Sequence, residues 1–232
     1  TPKENTKNEK HRIKPYPLRN EVNILTIKFK RKHFFNPNDV NIKEQFYTIC
    51  NNIESNVIKE DSIFMITSLT QTQNTANATA YLALVFSEQR KRVLVVDANL
   101  RQPSLHKVFN IDNSFGLTTL LLNRKHKNAV KAIKVTEYLY CLPTGEVIYE
   151  PSALLTLEAC SILHEEWKAH FDVILLHTSD CLNTLDAQII GKNCDAIILV
   201  IKEGLDKLEK VLHVKKQLES DKDKIIGTVI IS

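Results

Sequence analysis

Apolar positions along the chain follow two patterns, short unbroken runs and longer stretches in which they recur every three or four residues. The unbroken runs predict strands at Ile63–Thr67, Val93–Val96 ending at Asp97, Tyr138–Leu142, Val173–Leu176 reaching His177, Ala196–Ile201 and Ile225–Ile231. The periodic stretches predict helices over Val40–Asn56, with Ile42, Phe46, Ile49 and Ile53 inward, and over Ala78–Glu88, Leu117–Leu122 and Asn128–Lys134. Further helices are expected from Pro151 to about His170, over Leu185–Lys192, and over Leu205–Leu218 with Leu205, Leu208, Val211, Leu212 and Leu218 inward. Asn38 and Asp39 can cap the first helix, Pro103 suits a first turn, and Ser152 can cap the helix behind Pro151. Fully apolar strands alternating with helices predict an α/β fold, a mostly parallel sheet with helices on both faces. Crossovers should be right-handed, and any ligand should lie at the carboxyl ends of the strands.

The pattern divides the chain into a basic, proline-punctuated arm over 1–37 and one domain over 38–232. Within Ile24–Phe35 the cations of Lys28–His33 sit beside aromatics. A solvated edge strand is the plain reading, and a weak peripheral contact with an anionic membrane face is the sharper one. The chain of 232 residues is 43% apolar and 25% charged with a net charge of +4, which is ordinary for a globular protein and does not point to nucleic acid. Five cysteines (Cys50, Cys141, Cys160, Cys181, Cys194) in no paired spacing read as reduced, packed thiols, and no His or Cys spacing fits a metal site. No run is long and apolar enough to span a bilayer, and none reads as a signal peptide, so a cytoplasmic protein is expected.

The stretch that distinguishes the chain is Thr70–Asn77, a polar turn between a buried strand and a helix. That outline is P-loop-NTPase-like. A working phosphate loop needs glycines so that backbone N–H groups can wrap the phosphates, a Lys for the terminal phosphates and a Ser or Thr for magnesium. The turn has no Gly and no Lys. A capped polar loop is the plain reading, although the free N–H groups of a helix start can still attract an anion weakly.

Four stretches together resemble the cytoplasmic domain of bacterial tyrosine kinases (BY-kinases), a P-loop family of capsular and exopolysaccharide synthesis. They are the turn; Val93–His106, similar to an Asp-x-Asp-x-Arg signature; Leu142-Pro-Thr-Gly145 with Pro151-Ser-Ala-Leu-Leu155; and Phe171–Thr178, where the family carries its Walker B strand. Asn113-Ser-Phe-Gly116 and Asp195–Gly204 fit as well, and the likeness runs from about Ile42 to Ile231. On the family's Pro-Gly-Glu-Gly-Lys-Ser-Thr loop fall Gln71, Thr72, Gln73, Asn74, Thr75, Ala76 and Asn77. In the second signature Asp97 and Arg101 are retained and Asn99 replaces an Asp, while His177 stands at the Walker B Asp. The family's oligomer helix carries Glu-x-x-Arg-x-x-Arg; here Glu44 is kept and Tyr47 and Cys50 replace the arginines.

The resemblance therefore implies a pseudokinase with degenerate Walker motifs. It would regulate or scaffold capsular or extracellular polysaccharide synthesis by binding a membrane-anchored co-polymerase and kinase activator, or an active paralogous kinase, and would reach the membrane through that partner. No cofactor is expected, because phosphoryl transfer rests on the positioning and charge that these positions lack, and no metal or nucleic acid is expected on the spacing and charge given above. One alternative is an active ATP- and Mg-dependent tyrosine kinase that uses His177 and Asp97. Another follows a wider resemblance to partitioning and septum-placing ATPases of the MinD/ParA kind. Asp97 is expected as a solvated strand-end carboxylate, and Asp186 as a partner of a helix dipole. Tyr138, Tyr140 and Tyr149 are expected as packed or loop aromatics.

Overall fold

The computed structural model describes residues 35–56, 62–70, 72–122, 131–146, 153–218 and 224–231. The Lys28–His33 run, Gln71, Tyr149, Pro151 and Ser152 lie outside them, as does most of the expected arm. Phe35 packs edge-on against Tyr81 and Phe109 at 5.0 and 5.5 Å, and the Asn36 N–H donates to the Tyr81 hydroxyl at 3.0 Å, so these two residues join the folded unit.

Seven strands form one sheet in the order β3-β4-β2-β5-β1-β6-β7. They are β1 (Ser62–Ser68), β2 (Val93–Asp97), β3 (Ile133–Lys134), β4 (Leu139–Leu142), β5 (Val173–His177), β6 (Ala196–Lys202) and β7 (Ile225–Ile231). All neighbours pair in parallel except β3, which runs antiparallel to β4. The α/β fold and the mostly parallel sheet are as expected.

Strand side chains alternate between two cores, as the two-residue period requires. Val93, Val95 and Leu175 face one core, shared with Ile42, Phe46, Ile49 and Ile53 of α1 (Val40–Asn56) and the length of α2 (Gln73–Glu88). Leu105 of α3 (Leu105–Phe109) joins it. Leu94, Val96 and Ile174 face the other core, covered by α4 (Leu117–Leu122), α5 (Leu157–Lys168), α6 (Asp186–Lys192) and α7 (Leu208–Leu218). Both faces are thus sealed, and all five cysteines are buried free thiols.

Several boundaries differ from the expectation. Helix α2 begins at Gln73, not Ala78, because Thr72 caps it and the short polar residues behind are buried within the fold. Ile133 and Lys134 form an edge strand against Cys141 and Tyr140, not the end of a helix. Tertiary pairing overrides a weak helical spacing there. Helix α5 starts at Leu157, where the Thr156 side chain accepts the Ala159 N–H at 3.1 Å. The expected start of α7 is taken up by a turn in which Gly204 sits at φ +78 and Asp206 accepts the Lys202 N–H at 2.7 Å. Leu205 (55% exposed) and Leu212 (48%) consequently face outward, and Val214 takes the buried place. Asp39 caps α1 through the Ile42 N–H at 3.2 Å, whereas the Asn38 N–H donates to the Asn36 side chain. Pro103, expected in a helix first turn, instead precedes the cap: α3 starts two residues later, at Leu105.

Candidate functional site

The order β2-β5-β1 brings three strand ends side by side, and with them the turn after β1, Asp97 and His177. The ends are strapped together. The Thr178 N–H donates to the Ile66 carbonyl (3.1 Å) and the Cys181 N–H to the Ser68 carbonyl (2.9 Å). The Thr67 hydroxyl donates to the Ser179 carbonyl at 2.8 Å.

At the turn, Thr72 is extended (φ −152°, ψ 138°) and its hydroxyl accepts the Asn74 N–H at 3.3 Å. The cap therefore uses one of the donors that a helix start would otherwise offer to an anion. Among the described residues the non-glycine positions with positive φ are Arg90 and Asn110, neither of them in this turn. The expected loop is thus largely helix. Gln73 is exposed, and Asn74, Thr75, Ala76 and Asn77 are buried in its first turns. The Thr75 hydroxyl is buried without a hydrogen-bond partner. Thr70 reaches Asp206 at 3.4 Å, tying the turn to the segment before α7.

Asp97 corrects the expectation of a solvated carboxylate. It is fully buried and accepts three backbone N–H groups, from Asn99 (3.3 Å), Ser104 (2.7 Å) and Leu105 (2.8 Å). The side chain is on the same face as Val93 and Val95, so the sheet itself directs it inward. Burial outweighs those donors and raises its carboxyl to about 6. Asn99 accepts the Gln102 N–H at 3.2 Å, closing the same loop.

His177 lies beside Asp97 in the β2–β5 register and is buried. Its Nε2 and the Ser104 hydroxyl are hydrogen-bonded at 3.2 Å, and Nδ1 has no partner. Burial lowers its pKa to about 4, so the ring is neutral near pH 7.

The Arg101 Nε donates to Asp186 at 2.8 Å, and Asp186 is fully buried. Asp186 is therefore an ion-pair partner across two loops as well as a first-turn acid. Asp180 accepts the backbone and side-chain N–H groups of Asn183 (3.0 and 2.7 Å). Each of these acids already receives donors from its own chain. Among the described residues no three His, Cys, Asp or Glu side chains converge as a metal site would require.

The oligomer-helix positions separate in space. Glu44 is exposed, Tyr47 is half-buried and donates to Glu88 at 2.6 Å, and Cys50 is in the core. Each three-residue step falls short of a full helical turn, so the line drifts around the helix from solvent into the core.

Sequence reasoning missed Ser104, which joins Asp97 to His177, the pairing of Asp186 with Arg101, and the buried Asp206. A Ser just ahead of a helix is a capping signal, yet Ser104 makes no side-chain cap; its hydroxyl goes to His177 instead. The Asn113–Gly116 and Leu142–Gly145 segments, far apart in sequence, form one buttress beneath Asp97. The Leu117 N–H donates to the Pro143 carbonyl (2.9 Å), Asn113 bonds both polar groups of Gly145, and the Thr144 hydroxyl donates to the Asp97 carbonyl (2.7 Å). A Cβ on Gly116 would sit 2.1 Å from the Pro143 carbonyl oxygen, so this approach demands glycine.

No family model matches the chain. The chain is 33% identical over 188 residues to the tyrosine-protein kinase YwqD of Bacillus subtilis, covering 81% of this chain and 79% of that protein. Its fold superposes on the kinase domain of the Escherichia coli tyrosine kinase ETK with a TM-score of 0.81, at 23% identity over 90% of this chain and 89% of the other. The cell division ATPase MinD of Pyrococcus furiosus superposes less closely, with a TM-score of 0.62 at 25% identity over 73% of this chain and 71% of the other.

Proposed function

The chain belongs to the family of bacterial tyrosine-protein kinases, and from that premise we propose that it is a catalytically inactive member, a regulator or scaffold in capsular or extracellular polysaccharide synthesis. It would act by binding a membrane-anchored co-polymerase and kinase activator, or an active kinase related to itself. The observation that carries this reading is the internal use of the site's polar groups. Thr72 takes the Asn74 N–H, and Asp97 accepts three N–H donors of its own loop.

The residues present do not fit a magnesium nucleotide. Thr75 offers a short neutral hydroxyl where a long cation would be needed, and Ala76 offers no hydroxyl at all. His177 is a neutral imidazole, whereas magnesium takes hard oxygen ligands. Without a cation in the turn, and with an imidazole where a carboxylate would hold magnesium, phosphoryl transfer loses the groups that stabilise the migrating phosphoryl. The segments beneath Asp97 are meanwhile tied together, as the contacts of Gly116 and Gly145 illustrate, and a stably folded surface is what a scaffold requires. No helix among the described residues is long and apolar enough to cross a membrane.

Calorimetry of the folded chain with Mg-ATP and Mg-ADP tests the proposal. No heat of binding at micromolar affinity, together with no mass increase after incubation with Mg-ATP, is expected. Micromolar binding or a phosphate-sized mass shift would overturn it and favour an active kinase with an atypical site.

A further inference from the structure

At the amino ends of β2, β4 and β5, away from Asp97 and His177, lies a cleft of about 660 Å³ lined by Arg92, Glu137, Tyr138, Tyr140, His170 and Phe171 together with Ala132. That volume is within the range of about 300–1,000 Å³ of small-molecule pockets. Its floor is aromatic and stiff: Tyr140 and Phe171 meet edge-to-face at 5.5 Å and 61°. Phe171 is buried and Tyr140 half-buried, and the Tyr138 carbonyl, accepting the Val93 N–H at 2.8 Å, anchors the adjoining hairpin. On the rim the Arg92 guanidinium is pinned by Asp172, with contacts of 2.6, 3.2 and 3.3 Å. Glu137 and His170, both exposed, complete the rim.

We infer that this cleft is a saccharide site. The Arg92 charge is balanced by Asp172, and Glu137 adds an acid, so the rim carries no excess of positive charge to attract a polyphosphate. A carboxylate, a guanidinium and an imidazole together offer donors and acceptors to neighbouring hydroxyl groups. The aromatic side chains in its lining suit the C–H face of a pyranose ring, which is apolar although its edge is polar. A neutral polyhydroxylated ring matches all three features at once, and the volume admits a mono- or disaccharide. The inference does not depend on whether the chain is a kinase or a pseudokinase, because none of these residues belongs to the candidate phosphate site.

Saturation-transfer NMR and calorimetry on the full chain, with glucose, galactose, N-acetylglucosamine, maltose, lactose and chitobiose as probes, test it. Saturable binding of at least one of these is expected, with a Kd on the order of 1 mM. Glu137→Gln and Tyr138→Ala, each checked for unchanged far-UV circular dichroism, should each weaken it by about tenfold or more, and Tyr140→Phe, which removes only a hydroxyl, serves as the mildest variant. ATP and inorganic phosphate should not displace the sugar. The inference is overturned if none of the six sugars binds saturably, if binding survives both Glu137→Gln and Tyr138→Ala unchanged, or if phosphate or ATP competes for the cleft.

Discussion

Asp97 and His177 stand in register on the adjacent parallel strands β2 and β5, and Ser104 bonds to both, its N–H to the carboxylate at 2.7 Å and its hydroxyl to the imidazole at 3.2 Å. One residue of the following loop thus ties together the two side chains at the positions where the family's acids are expected. Both are buried, and the loop from Ala98 to Leu105 closes over them through the same carboxylate. The pair acts as a clasp for the β2–α3 loop.

Replacing the carboxylate should therefore cost stability. In Asp97→Ala three buried N–H groups lose their acceptor, each at about 1 kcal/mol or more, so a loss of about 3 kcal/mol is expected. Asp97→Asn keeps one acceptor oxygen and should lie between the two. Urea denaturation with an unchanged slope checks the ranking. Equal midpoints for Asp97→Ala and the parent would contradict it.

The buried titratable groups predict an acid response with a defined sign. His177 and His164, each lowered to about 4 by burial, bind fewer protons folded than unfolded between pH 4 and 6.5. Their contribution is present above pH 6.5 and is lost as the pH falls toward 4. Asp97, raised to about 6, acts oppositely: its effect falls with rising pH between the ordinary carboxylate range and 6. Among these three groups two act against one, and the lowered His106 and Asp172 act in the same direction as the two, so unfolding takes up protons on balance near pH 5. Stability should thus decline from pH 6 to 4.5, and His164→Gln should flatten that decline. A decline of unchanged steepness in the variant would refute the assignment.

Thr75 carries a buried hydroxyl without a partner, on a helix whose first turns are enclosed. Thr75→Val preserves the shape and removes the unsatisfied group, so a gain of about 1 kcal/mol is expected. Thermal unfolding of the two proteins side by side measures it. A lower melting temperature in the variant would mean that the hydroxyl is used.

Arg101 and Asp186 form an ion pair in which the acid is fully buried and the Arg side chain is 45% exposed. Arg101→Ala leaves a carboxylate in the interior and should cost about 2 kcal/mol, the exposure of the Arg placing it below fully buried pairs. Combining it with Asp186→Asn removes the stranded charge. The double variant should be less destabilised than the sum of the singles, and a double-mutant cycle with no coupling would exclude the pair as a stabilising contact.

Much of the architecture was legible because burial on both faces demands unbroken apolar strands. Val93–Val96 and Val173–Leu176 have no other economical reading, and the four inward residues of α1 were all placed. Helix starts were less legible where several residues can cap. Thr70, Thr72, Asn74 and Thr75 all have the side-chain oxygens to do so, and the fold chose Thr72. The fate of Ile133 and Lys134 was illegible for another reason: a two-residue edge strand exists only through its partner β4.

The amino-acid sequence by itself determined the α/β order, the enclosed sheet and the replacement of glycine, Lys and Asp in the turn and strand end, since periodicity and residue chemistry are local properties. Only the tertiary structure decided that Asp97 is buried and spent on its own loop, that Arg101 meets Asp186, and that Tyr140 and Phe171 floor a cleft. Those outcomes depend on which strand ends become neighbours, and hydrogen-bond partners many residues away are set by the sheet order, not by the run of residues along the chain.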